Sequence, residues 1–174
     1  FHRVYFTDSS HTIERLPTER FKIPVGIHAN YFLNKRFILR TFYRFYWDNF
    51  GILANTAQIE IPIKLFNPFR IGPFYRFHSQ TGSKYFAPFA KHNLESKYYT
   101  SDYDLSNLTA HSFGVNLKYS PYFGFLNSKT RYNPKRLIQF SKISLRISKY
   151  YRLIDDKVEF KAFSCYTSII FKIK

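Results

Sequence analysis

Apolar and polar residues alternate along most of this chain with a period of two. In Arg20–Leu33 the odd positions are Phe21, Ile23, Val25, Ile27, Ala29, Tyr31 and Leu33. The even positions are Arg20, Lys22, Pro24, Gly26, His28 and Asn30, and only Phe32 breaks the rule. A helix would scatter both classes around its circumference, whereas a strand sends successive side chains to opposite faces. The stretch therefore predicts a strand, and one well beyond the ordinary length of about five to six residues.

Asn34–Lys35 predicts a tight turn, and the next segment repeats the pattern. Its odd face carries Phe37, Leu39, Thr41, Tyr43, Phe45 and Trp47, and its even face carries Arg36, Arg40, Arg44 and Asp48. Asp48–Gly51 predicts a second turn. Ala57, Ile59, Ile61, Ile63 and Leu65 then oppose Gln58, Glu60, Pro62 and Lys64. After a short turn at Asn67–Phe69, Ile71, Pro73, Tyr75 and Phe77 oppose Arg70, Arg76, His78 and Gln80, with Phe74 as the exception on the polar side.

From about Thr81 to Thr109 the alternation stops, which predicts one long loop. It resumes with Phe113, Val115, Leu117 and Tyr119 against Asn116 and Lys118. Pro121–Lys135 reads as a connection. Ile143, Leu145 and Ile147 then oppose Lys142, Ser144 and Arg146. Asp155–Lys157 predicts a turn, and Phe163, Cys165, Thr167, Ile169, Phe171 and Ile173 share the last apolar parity. The sum is seven long strands in a meander, with an eighth at His2–Phe6, no helix, no linker, and one domain over residues 1–174.

Composition sharpens this all-β picture. The chain has 174 residues, 21 Phe, 15 Tyr and a formal net charge of +16. So many rings exceed what one soluble core needs, and the charge points to an anionic partner. The chain begins at Phe1, with neither initiator nor signal peptide, and is expected to be a processed or truncated one. No run approaches the roughly 18 to 20 apolar residues of a membrane helix. A membrane strand needs only about 9 to 11 residues with every second one apolar.

The expected fold is thus an antiparallel transmembrane β-barrel, or part of a larger one, because a sheet in lipid must close on itself. Its lipid-facing wall would hold Phe21, Ile23, Val25, Ile27, Phe37, Leu39, Tyr43, Phe45, Ile59, Ile61, Ile143, Leu145 and Ile147. Its lumen would be lined by Arg40, Arg44, Asp48, Gln58, Glu60, Arg76, His78, Lys118 and Arg146. In such barrels the C-terminus lies on the periplasmic side, with short turns there and long loops outside. Tyr99, Asp102 and Asp104 would then lie in an extracellular loop, and the turns at Asn34–Lys35 and Asn67–Phe69 would be periplasmic. The long Pro121–Lys135 connection also falls on the periplasmic side and departs from that rule.

Three phrases carry a family resemblance: "YRFYWDNFGILANTAQIEIP", "YRFHSQTGSKYF" and "SKYYTSDYDLS". Together they resemble the C-terminal half of an uncharacterised group of bacterial outer-membrane barrel proteins, domain of unknown function 3570. The match runs from about Arg15 to Tyr119, and Tyr99–Ser106 is its most specific phrase. "YRFHSQ" departs from the family pattern by one extra residue before its Gln. The resemblance implies an outer-membrane location, full-length members with a further N-terminal half, and no particular activity.

The charged face has two readings. One is a basic constriction that attracts anions. The other is a salt-bridge network filling a narrow barrel, since roughly eight strands leave room only for side chains. Asp102 and Asp104 have weak divalent-ion spacing and fit loop turn chemistry better. Residues of "DLSNLT" would equally fix the loop onto the barrel rim. The histidines lack metal-ligand spacing, and the single cysteine, Cys165, excludes an intrachain disulfide. No catalytic pairing stands out beyond Ser79 and Ser83 near His78. No catalytic residue, metal or cofactor is therefore expected.

The expected role is a structural or accessory outer-membrane protein, or a narrow pore with a basic lumen. Its expected partners are outer-membrane lipid, lipopolysaccharide and a larger outer-membrane complex. The rival reading is a basic soluble β-protein that binds nucleic acid, with rings stacked on bases. That needs rings and charges on one face, and here they largely fall on opposite faces.

Overall fold

A computed structural model describes residues 3–121, 125–130, 133–154 and 158–173. The strands are β1 (Arg3–Tyr5), β2 (His11–Ile13), β3 (Lys22–Phe32), β4 (Ile38–Asp48), β5 (Leu53–Glu60), β6 (Ile63–Phe66), β7 (Phe69–Gln80), β8 (Leu108–Tyr119), β9 (Phe125–Thr130), β10 (Asn133–Ile154) and β11 (Val158–Ile173). One 3-10 turn covers Tyr103–Leu105, and there is no α-helix among the described residues.

The main sheet is an antiparallel meander in the order β11-β10-β8-β7-β5-β4-β3, with β6 added to β7 and β9 to β10. Register preserves parity across it. Tyr43 sits opposite Ala57, Ala57 opposite Phe77, Phe77 opposite His111 and His111 opposite Tyr151. Every long strand therefore gives its odd residues to one face and its even residues to the other. In β10 the register shifts between Phe140 and Lys142, so this rule holds from Lys142 onward.

Within β4 to β10, and toward the loop-bearing end, burial distinguishes the two faces. Even-numbered Ala54, Thr56, Phe74, Leu108, Ala110 and Ile154 are buried, whereas odd-numbered Tyr43, Ile59, Tyr75, Phe113 and Leu117 are exposed. Arg40 on β4 and Lys142 on β10 line one hollow on the even face. A flat sheet would hold those strands about 19 Å apart, at about 4.8 Å per strand. The sheet must therefore curl around its even face.

It does not close. Among the described residues β3 and β11 are the two free edges. The fold is an open, curled antiparallel sheet: the expected all-β antiparallel meander is present, and these strands alone do not close into a barrel.

Three further expectations need correction. Ala57–Leu65 does not run as one regular strand. Pro62 has no N–H to donate, so the ladder lapses between β5 and β6, although Ile61 N–H still donates to Pro73 O. Pro121–Lys135 is not all connection, because β9 pairs with the first half of β10 beyond the end of β8. The polar run in β9 hid a strand whose pairing comes from its neighbour. His2–Phe6 supplies β1, which pairs with β2 in a separate two-stranded sheet and not with the meander. The expected turn at Asp155–Lys157 lies outside the described residues.

Two glycines are sterically required. Gly51 ends the β4–β5 turn at φ +90°, a conformation that side chains resist. On β8, a Cβ at Gly114 would collide with the Ile147 carbonyl oxygen of β10.

The core sits at the end of the sheet that bears the long loop. Leu108, Ala110 and Ile154 cluster there, with Tyr150 packed on them. Phe50 and Ile52 of the β4–β5 turn are buried at the same end, as are Val4 and Phe6 of the N-terminal segment. Phe6 packs edge-on against Tyr99, with ring centroids 5.1 Å apart.

Candidate functional site

The even face holds the chemistry, in two groups at opposite ends with a further set of polar residues between them. At the loop-bearing end the organising residue is Asp48, which is fully buried. Its Oδ1 accepts from the backbone N–H of Phe50 and of Ile52, both at 3.0 Å. Its Oδ2 accepts from Arg20 Nε at 2.9 Å, from Arg20 Nη2, and from the Tyr46 hydroxyl at 3.0 Å. The Arg20 guanidinium also lies 4.7 Å from the Phe50 ring centroid. Asp48 therefore ties a turn to the segment before β3. It shares parity with Arg40 and Arg44 but joins neither, its partners being Arg20, Tyr46 and the turn N–H groups.

The same end anchors the long loop. Gln80 Nε2 donates to Asp104 O at 2.8 Å and to Ser106 O at 3.0 Å. Arg152 donates to the Asp104 carboxylate at 2.7 Å and to Tyr103 O at 2.9 Å. Asp102 accepts from Asp104 N–H at 2.9 Å and caps the 3-10 turn. The phrase Tyr99–Ser106 thus docks the loop onto the sheet rim. Tyr99 itself exchanges backbone hydrogen bonds with Arg15 at 3.0 and 2.8 Å. No group of three or more metal-ligating side chains occurs among the described residues.

The middle of the even face carries Thr56, Gln58, Arg76, His78 and Arg146. Thr56 Oγ1 and His78 Nδ1 are 2.9 Å apart, and Arg146 stacks on Phe74 at 3.9 Å. Arg44 Nε is buried without a hydrogen-bond partner.

At the opposite end a hollow of about 430 Å³ opens on the even face. Lys35 and Arg36 enter it from the β3–β4 turn, Arg40 from β4 and Lys64 from β6. Arg70, Lys118 and Lys142 complete the cationic wall from β7, β8 and β10. Glu60 is the one carboxylate lining it, and its only ion pair among the described residues is a loose one to Arg40 at 3.9 Å.

Of the residues expected to line a lumen, the hollow brings together Arg40, Glu60 and Lys118. Gln58, Arg76, His78 and Arg146 share their face without lining this hollow, as does Arg44. Sequence reading missed Arg36, Lys64, Arg70 and Lys142 as partners of Arg40. Their shared even parity was the available signal, but the curl that gathers them was not readable.

The odd face holds the residues expected to meet lipid. Phe21, Ile23, Val25, Ile27, Tyr43 and Ile59 are exposed there. Phe37, Leu39, Phe45, Ile61, Ile143, Leu145 and Ile147 are partly covered. His111, Lys149 and Lys161 interrupt that face, in the half nearer the long loop.

Comparison with known proteins adds one finding. The family described as Protein of unknown function (DUF3570) matches residues 2–128. No curated protein and no solved structure matches the chain. The match takes in the Asp48 turn, the docked loop and most of the basic hollow, and the chain belongs to this family of unknown function.

Proposed function

We propose that this chain is an arc of an outer-membrane β-barrel that acts as a structural or accessory membrane protein, with the even face as its interior. One observation carries the reading. One largely apolar face runs in register across seven strands, interrupted only in the half nearer the long loop, while most of the charges lie on the other face. A dozen half-exposed aliphatic and aromatic side chains present on the order of 1,000 Å² of apolar surface, against the few hundred that a soluble monomer tolerates.

Strand length supports the same reading. β3 and β4 each have 11 residues, which at about 3.3 Å per residue span a tilted bilayer crossing. The open edges then require partners. Each unpaired backbone group in lipid costs several kcal/mol, so further strands would pair with β3 and β11. Those strands belong to the same barrel or to a partner in a larger complex. The odd face would meet lipid, and Lys84, Lys91 and Lys97 of the exposed loop would meet lipopolysaccharide phosphates.

The test is fractionation of cells expressing the native full-length protein. Recovery in outer membranes, a need for detergent and heat-dependent gel mobility are expected. Recovery in the soluble fraction without detergent would overturn the reading.

A further inference from the structure

We propose that the basic hollow is a binding site for a soluble oligophosphate-class anion. The observations are its charge and its shape. Seven cationic side chains and a single carboxylate converge on a volume of about 430 Å³. Lys118 and Lys142 are near neighbours, since Lys118 pairs with Ser144, two residues along β10. Like charges gathered this closely repel unless an anion sits among them. Glu60 offsets only a small part, being loosely paired and already directed at Arg40.

The donor set favours phosphate. Arg36, Arg40 and Arg70 offer planar forks that match phosphate oxygens two at a time, and the lysines add movable point charges. A lone phosphate would leave most of the wall unused, whereas a chain of two or three reaches both sides. Gly72 keeps the floor open, because a Cβ there would lie 3.2 Å from Glu60 Oε1. The hollow opens on the even face, opposite the exposed apolar wall. A soluble anion therefore reaches it more directly than a membrane lipid does.

The proposal rests on the barrel reading only in treating the even face as an interior, and the two fail separately. Native full-length protein in nonionic detergent is titrated calorimetrically with inorganic tripolyphosphate. Saturable binding that weakens steeply with salt is expected. The double variant Lys118→Gln/Lys142→Gln should weaken it at least about tenfold. Gly72→Leu, which fills the floor without changing charge, should weaken it similarly. Lys149→Gln/Lys161→Gln removes the same charge from the opposite face and should change affinity less than about twofold.

Absence of binding, or equal weakening by both lysine pairs, overturns the proposal. Stronger binding to phosphatidylcholine vesicles carrying phosphatidic acid than to tripolyphosphate overturns the choice of a soluble ligand. Binding by a protein that fractionates as soluble leaves this site standing and removes the barrel.

Discussion

Replacing Asp48 tests the account of the loop-bearing end most directly. Asp48→Ala removes a fully buried carboxylate. It leaves the N–H groups of Phe50 and Ile52 without their acceptor and Arg20 without its counter-ion. An unsatisfied buried donor costs about 1–3 kcal/mol, and breaking a buried ion pair costs about 3–5 kcal/mol. The Arg20 side chain keeps 26% exposure, so it recovers some hydration, and the turn gains some water. The expected net loss is about 3–4 kcal/mol. Asp48→Asn keeps one oxygen for the two turn donors and loses the anion, so about 1–2 kcal/mol is expected. The assay is denaturant unfolding in detergent, followed by the single tryptophan, Trp47, which packs on Phe21 at 6.4 Å. A cycle with Arg20→Met should show coupling of at least about 1 kcal/mol. A loss below about 0.5 kcal/mol for Asp48→Ala, the range of ordinary surface changes, would refute the argument that this carboxylate holds the turn.

Other outcomes follow from single contacts. Ile59→Arg places a charge on the exposed odd face in mid-sheet; in lipid it should cost about 2–4 kcal/mol of barrel stability. In water it would change less than about 0.5 kcal/mol, and urea titration of the folded band on gels distinguishes the two. Gly114→Ala drives a methyl into the Ile147 carbonyl and should prevent β8–β10 pairing, read as loss of the heat-modifiable species. Gln80→Ala removes both bonds to the Asp104 and Ser106 carbonyls; proteolysis within residues 81–107 should quicken by about fivefold or more.

The strands were legible because their signal is local. Parity alone placed β3, β4, β7 and β11 within a few residues of where they lie. What sequence did not reveal depended on partners distant in the chain. β9 lacks a clear apolar face, and its existence follows from β10 continuing past the end of β8. β1 alternates like a sheet strand, yet it pairs with β2. The Asp48–Gly51 turn was readable, since aspartate bonds the N–H two residues on. Its second role was not, because Arg20 comes from 28 residues away. Parity named Arg40, Glu60 and Lys118 as one face, but only the curl shows which basic residues share one hollow.

The N-terminal segment bears on how the protein is assembled. Thr100 Oγ1 donates to Glu14 at 2.9 Å across a separation of 86 residues, and Arg15 and Tyr99 pair through their backbones. Such contacts span the longest loops, and pairing of the strands between them lowers the entropy cost of closing them. If the sheet enters a membrane, both the segment before β3 and the loop before β8 must reach the same side before they can join. In that setting the latch would close late and would mark that both segments had reached one side.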